Sequence, residues 1–269
     1  MTPSPLDKPR AVLGVLLVVL AAACAGCPIT QPQDTPVPEM KCRESGTGCE
    51  YYLYVPSDHA ELGPMPMVVT LHGTHGFDSA RAQVREWKAL AEEHCFVVLS
   101  PKLESPQGIL PIIRPLRLAS LAKDEKRVLA AMDEVMKRYK INDKAVMVTG
   151  FSAGGYPLYY IAMRNPDRFS VMVARACNAD MKIIESIPVT DELRAMSMLI
   201  FFSKTGINPI YSRWNLIARQ SWAAYQFFRY NGCKGASIKT ISGGHHRRPE
   251  RALRFWKRSQ PKAFPQREQ

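Results

Sequence analysis

Short unbroken apolar runs alternate along this chain with longer segments whose apolar residues recur every three or four positions. Residues 65–71, 95–99, 146–149, 169–174, 198–202 and 237–241 read as strands, and the aromatic-rich alternation over 51–56 as one more. Between them, 80–93 carries Ala82, Val84, Trp87, Leu90 and Ala91 at helical spacing. The segment 121–139 does the same with Val128, Leu129, Met132, Val135 and Met136. Further helices are predicted over 155–164, 214–229 and 249–256. Strands that are apolar throughout and separated by helices build a mostly parallel, doubly wound sheet with helices on both faces. The predicted class is therefore α/β, with one domain over 50–260 and ligands expected beyond the carboxyl ends of the strands.

One of those strand ends carries chemistry. The run Ala145-Val-Met-Val-Thr-Gly-Phe-Ser-Ala-Gly-Gly155 passes from strand through Gly-x-Ser-x-Gly into a helix. In that context the pattern is a nucleophile elbow: Ser152 sits on a strained turn, and small neighbours let strand and helix approach closely. A serine hydroxyl becomes a nucleophile when a neighbouring base takes its proton, and histidine has the right pKa for that exchange. Of the six histidines, His59 and His94 lie away from the expected site. His245 follows the last predicted strand after Gly243-Gly244 and is the candidate base, with His246 as the alternative. Leu71-His-Gly-Thr74 follows an earlier strand. The backbone N–H groups of Ala153 and Thr74 are expected to hold a developing oxyanion, each worth about 3 kcal/mol in the transition state. His72 would then brace the loop.

Together the elbow, the preceding Tyr139-Lys-Ile-Asn-Asp143, Leu71-His-Gly-Thr74 and Gly243-Gly-His-His-Arg-Arg-Pro-Glu250 resemble the α/β-hydrolase superfamily. The resemblance runs over residues 50–258 and is strongest to secreted esterases of the polyhydroxybutyrate depolymerase and feruloyl esterase group. It implies the α/β-hydrolase fold with little or no lid, Ser152 as nucleophile and His245 as base. The implied reaction is hydrolysis of a small-molecule or polymeric carboxylic ester through an acyl-enzyme. The chain departs from the family where an Asp should follow the strand ending at Phe202, because Ser203-Lys-Thr-Gly-Ile-Asn-Pro209 holds no carboxylate. The third triad member orients the histidine and stabilises its charge. Asn208, Asp180 and no third member at all remain open. A non-catalytic binding lipoprotein that has lost the acid is one alternative reading, and a serine peptidase or thioesterase on the same fold is another.

Composition adds a setting. The 269 residues are 46% hydrophobic, enough for a substantial core. The net charge is +12, and half of it lies in 247–269, where eight Lys and Arg face Glu250 and Glu268. No nucleic-acid motif accompanies this, so 261–269 reads as a basic tail, solvated or in contact with a membrane surface, and no nucleic-acid partner is expected. Lys8 and Arg10 precede the apolar run 11–23 and then Cys24-Ala-Gly-Cys27. That is an export signal too short to span a bilayer, with a lipobox-like ending at Cys27 or, less well matched, Cys24. The expected setting is the bacterial cell envelope, lipid-anchored or secreted, with 28–49 as linker. Export permits disulfides, and Cys42 and Cys49 flank a turn-rich loop and are predicted to pair. No metal, nucleotide or redox cofactor is implied, since no phosphate loop or ligand-spaced His and carboxylate cluster occurs.

Overall fold

Among the described residues, eight strands form one sheet in the order β1-β2-β4-β3-β5-β6-β7-β8. They are β1 (Met40–Arg43), β2 (Glu50–Tyr54), β3 (Met65–Leu71), β4 (Val97–Pro101), β5 (Ile141–Phe151), β6 (Val171–Arg175), β7 (Ser197–Ser203) and β8 (Ser237–Ile241). Among the described residues the helices include α1 (Ala80–His94), α2 (Arg114–Arg138), α3 (Gly155–Arg164), α4 (Met181–Ile184), α5 (Asp191–Ala195) and α6 (Pro249–Ser259). This computed structural model describes residues 35–106, 114–203, 224–233, 237–241 and 249–259. Strands β1 and β2 pair antiparallel, as do β2 and β4, and every later pairing is parallel. The predicted class holds, and the antiparallel edge lies at the amino-terminal side.

Alternation along the central strands divides the core between two faces. Val69, Leu71, Val146, Val148, Met172 and Ala174 pack toward Leu121, Val128 and Met132 of α2 and Leu158 and Ile161 of α3. Val68, Met147, Val171 and Val173 belong with Val84, Trp87 and Ala91 of α1 and Ala252, Leu253 and Trp256 of α6. On that second face Phe96 stands edge-on to both Trp87, at 6.2 Å, and Trp256, at 5.9 Å. Each such pair adds about 0.5–1.5 kcal/mol beyond the area it buries. Ser79 starts α1, its hydroxyl accepting from Ala82 N–H at 3.1 Å. Cys95 ends α1 in the left-handed region at φ 54°, so it caps that helix, and the strand predicted from residue 95 begins at Val97.

Two further expectations change. Residues 40–43, read as linker, form the edge strand β1. The predicted Cys42–Cys49 disulfide is absent: both are free thiols. The register is the reason, because Cys42 lies opposite Tyr51 while Cys49 lies opposite Glu44, whose N–H bonds Cys49 O at 2.8 Å. Diagonal positions are about 7–8 Å apart at Cα, beyond the reach of a disulfide. The turn is closed instead by the Glu44 carboxylate, which accepts from the N–H groups of Gly46 and Thr47 and from the Thr47 hydroxyl. Burial pushes the Cys49 thiol up to about 11, which keeps it protonated and unreactive.

The long connection after β6 contains α4 and α5, and residues 224–229 of the predicted 214–229 helix are helical, as is residue 230. Among the described residues no helix is long and apolar enough to cross a membrane. The export signal and the basic tail lie outside the described residues.

Candidate active site at the carboxyl ends of the central strands

The parallel registers bring three strand ends together. Leu71 of β3 lies beside Gly150 of β5, and Gly150 beside Ala174 of β6. Strand β5 runs without interruption into Ser152, where the backbone turns left-handed at φ 52°. A non-glycine residue at positive φ is held there only when its surroundings over-determine it. Here the surroundings are glycines pressed against backbone. A Cβ on Gly150 would lie 2.7 Å from Gly154 O, one on Gly154 would lie 2.4 Å from Leu71 O, and one on Gly155 would lie 2.2 Å from Asn178 O. No side chain fits at those separations, so strand, turn and helix close to a distance that only glycine allows. Ser152 O also accepts from Asn178 N–H at 2.9 Å, which ties the elbow to the segment after β6.

After the serine comes one 3₁₀ turn, Ser152–Gly154, and then α3. The first N–H groups of a helix lack intrahelical partners, so Ala153 N–H stands at a positive helix end. Facing it is the loop after β3, where a Cβ on Gly73 would lie 3.3 Å from Ser152 Cβ. Of the sequence-predicted pair, Ala153 directly follows the serine, and Thr74 directly follows the Gly73 that packs against it.

Hydrogen bonds hold that facing loop. His72 is fully buried. Its Nε2 lies 3.0 Å from Leu103 N–H and must accept from it, so the proton sits on Nδ1 and is donated to Gly73 O at 2.8 Å. Burial pushes the His72 pKa down, in keeping with this neutral tautomer. Leu103 is steadied in turn by Asp124 of α2, whose carboxylate accepts from Glu104 and Ser105 N–H. The expected bracing role of His72 fits this geometry.

The other side of the loop rests on a buried polar network. Asp78 Oδ2 accepts from Gly73 N–H at 2.7 Å and from Gln83 Nε2 at 2.9 Å, while Oδ1 takes Ser79 N–H. Gln83 Oε1 accepts from Thr70 Oγ1 at 2.7 Å and from Arg175. Arg175, the last residue of β6, is fully buried. It donates to Thr149 Oγ1 at 3.0 Å and Thr70 Oγ1 at 3.2 Å, pairs with Glu86 at 3.1 Å and lies 5.5 Å from the Trp87 ring centre. Sequence patterns pointed to none of Thr70, Asp78, Gln83, Thr149 or Arg175. These residues carry no motif, and only the sheet brings them together.

Of the remaining candidates, Asp180 follows β6 and precedes α4, with its carboxylate paired to Arg117 at 2.9 Å. The same Arg117 guanidinium lies 4.5 Å from the Tyr156 ring centre. His245, His246 and Asn208 lie outside the described residues. Among the described residues no group of three or more His, Cys, Asp or Glu side chains converges as a metal site.

Comparison with known proteins agrees with this fold. The sequence model of the prolyl oligopeptidase family, Peptidase_S9, matches residues 122–201. A bifunctional acetylxylan esterase/xylanase of Neocallimastix patriciarum is 30% identical over 118 residues. That match covers 44% of this chain, and the chain spans only 16% of the length of that relative. Among solved structures, a ferulic acid esterase superposes with a TM-score of 0.58 at 14% identity, covering 82% of this chain and 98% of its own. The ferric enterobactin esterase of Salmonella typhimurium gives 0.58 at 16% identity, covering 85% and 60%. A thermostable esterase gives 0.56 at 18% identity, covering 77% and 54%. The chain has the α/β-hydrolase fold. The proteins of that fold that it resembles include esterases and serine hydrolases.

Proposed function

We propose that this protein is an exported serine hydrolase that cleaves carboxylic esters through an acyl-enzyme. The observation that carries the proposal is Ser152 held at φ 52° between a helix N-terminus and the braced loop 72–78. In this reading Ser152 Oγ attacks the ester carbonyl while His245 takes its proton. The tetrahedral oxyanion rests on the N–H groups of Ala153 and Thr74. The ester C–O bond then breaks as His245 returns the proton to the leaving alcohol, and water repeats the sequence on the acyl-enzyme. Asn208 is the preferred partner for His245, because the Asp180 carboxylate is already engaged by Arg117. Small-molecule or polymeric esters are the substrate class, in line with the esterases named above.

The test is labelling of the full chain with a fluorophosphonate probe, with Ser152→Ala as control. Labelling of the wild type that vanishes in the variant supports the reading. No labelling of folded wild-type protein sinks it and leaves the non-catalytic alternative. A peptidase reading has one observation in its favour, the prolyl oligopeptidase family match over 122–201. Hydrolysis of aryl esters with no cleavage of acylated peptides decides against it. The export proposal rests on Lys8, Arg10, the apolar run 11–23 and Cys27. Incorporation of labelled palmitate that stops in Cys27→Ser is its expected signature, and incorporation that persists until Cys24 is replaced moves the anchor.

A further inference from the structure

We propose that Arg175, which no motif marks and which stands below the site, is a positioning residue for the second oxyanion donor. The inference rests on the serine hydrolase reading. It follows from the direction of hydrogen bonds, because an arginine can only donate. Arg175 Nε gives its proton to Thr149 Oγ1, whose own proton goes to Val173 O at 2.9 Å. Arg175 Nη2 donates to Thr70 Oγ1, whose proton goes to Gln83 Oε1, and also donates to Gln83 Oε1 directly. With two donors aimed at it, that end of the Gln83 amide must be the carbonyl. The NH₂ end then faces Asp78, and the Asp78 carboxylate accepts from it and from Gly73 N–H.

The peptides on either side of Gly73 are thereby fixed. Asp78 holds the N–H of the 72–73 peptide, and His72 Nδ1–H holds the C=O of the 73–74 peptide. A trans peptide points its N–H opposite to its C=O, so fixing Gly73 O aims Thr74 N–H away from His72. Arg175 sets one of these two anchors from β6, two strands away from the loop it controls. Glu86 neutralises the buried guanidinium, which makes such a donor tolerable inside the core. Without Arg175 the Thr70 hydroxyl can rotate and the Gln83 amide can flip. A flipped amide presents its carbonyl to the Asp78 carboxylate, and the Gly73 anchor loosens.

The experiment compares full-length wild type, Arg175→Met and Arg175→Lys by p-nitrophenyl acetate hydrolysis and by hydrogen-exchange mass spectrometry. In Arg175→Met, kcat is expected to fall about 30-fold or more with KM within about threefold, the pattern of an interaction felt in the transition state. Exchange in 72–78 is expected to speed up about tenfold while α2 stays protected. Arg175→Lys, which keeps a donor and the pairing with Glu86, is expected to recover part of kcat. A folded Arg175→Met with kcat within about threefold of wild type overturns the proposal. So does exchange that rises evenly over the whole sheet, which signals destabilisation alone. If Arg175→Met does not fold, Gln83→Leu carries the same expectations and the same refutations. Wild type that neither hydrolyses the ester nor labels with fluorophosphonate sinks the hydrolase reading, and the exchange of 72–78 then decides by itself whether Arg175 orders the loop.

Discussion

The two walls of the candidate site are fixed by opposite means. The elbow wall, β5 through Ser152 into α3, is held by the absence of side chains: Gly150, Gly154 and Gly155 meet backbone at separations that no Cβ can occupy. The facing wall, 72–78, is held by hydrogen bonds: its own His72 and Asp78 meet the Leu103 N–H after β4 and Gln83 of α1, and Thr70 of β3 and Arg175 of β6 stand behind Gln83. A steric device tolerates almost no substitution but needs no partner. A hydrogen-bonded device depends on each member, and it fails by degrees. Substitutions on the two walls should therefore break the protein differently.

The largest effect is expected on the elbow. Gly154→Ala places a Cβ 2.4 Å from Leu71 O and 2.7 Å from His72 O, and backbone on both sides leaves nothing flexible to yield. Stability should fall by about 3 kcal/mol or more, at or beyond the upper end for overpacking. Urea unfolding with an unchanged m-value checks this. A loss under about 1 kcal/mol would mean that the elbow and the loop after β3 can separate freely.

Next comes the anchor on the facing wall. Asp78→Ala removes the acceptor of Gly73 N–H, Gln83 Nε2 and Ser79 N–H, all three inside or at the edge of the core. Stability should fall by about 2 kcal/mol, the range for hydrogen bonds to a charged group. Turnover should fall about 100-fold, close to the loss of one oxyanion donor. Calorimetry and ester hydrolysis on the same sample separate the two. Turnover unchanged alongside the stability loss would show that the loop holds its shape without Asp78.

His72 adds a pH signature that the glycine wall cannot have. Burial lowers its pKa below the unfolded value of about 6.5, so between the two values the unfolded chain binds more protons than the folded one. This contribution to stability is complete above about pH 6.5 and is lost as pH falls toward the folded pKa. In His72→Phe the component should vanish, and Leu103 N–H left unpaired in the core should lower stability by about 1–2 kcal/mol at pH 7.5. Unfolding midpoints from pH 5 to 7.5 measure both. Parallel curves for the two proteins would assign the slope to other groups.

This contrast also marks what the sequence could reveal. The elbow was legible because its parts are neighbours in the chain: a β-favouring run, glycines at fixed offsets and a serine between them. The central strands were legible for a similar reason, since they are buried on both faces and apolar throughout. The facing wall was half legible. Leu71-His-Gly-Thr74 stood out after a strand, and a bracing role for His72 could be argued from its place. Its polar supports could not be read, because Thr70, Asp78, Gln83, Thr149 and Arg175 meet only once the strands take their order. Arg175 ends an apolar run and reads as a strand terminus. The Cys42–Cys49 expectation failed in the same way, as spacing brought the two cysteines close while register set them on a diagonal.

The smallest effect is expected where neither device operates, at Asp180. Its carboxylate is about one-fifth exposed and pairs with an Arg117 equally exposed, a setting in which ion pairs contribute about 0–1 kcal/mol. Asp180→Asn keeps the shape and can still accept from Arg117, so stability should change by less than about 1 kcal/mol and ester turnover by less than about threefold. The same substitution at a working triad acid drops turnover by about four orders of magnitude, because the histidine loses both its tautomer and its counter-charge. One variant, assayed for hydrolysis and for fluorophosphonate labelling rate, therefore separates the two roles by several decades. A small change leaves Asn208 as the orienting partner and implies that His245 works without an adjacent negative charge. A collapse of turnover would mean that Arg117 releases Asp180 on substrate binding, and Arg117→Met should then raise activity where it otherwise leaves it unchanged.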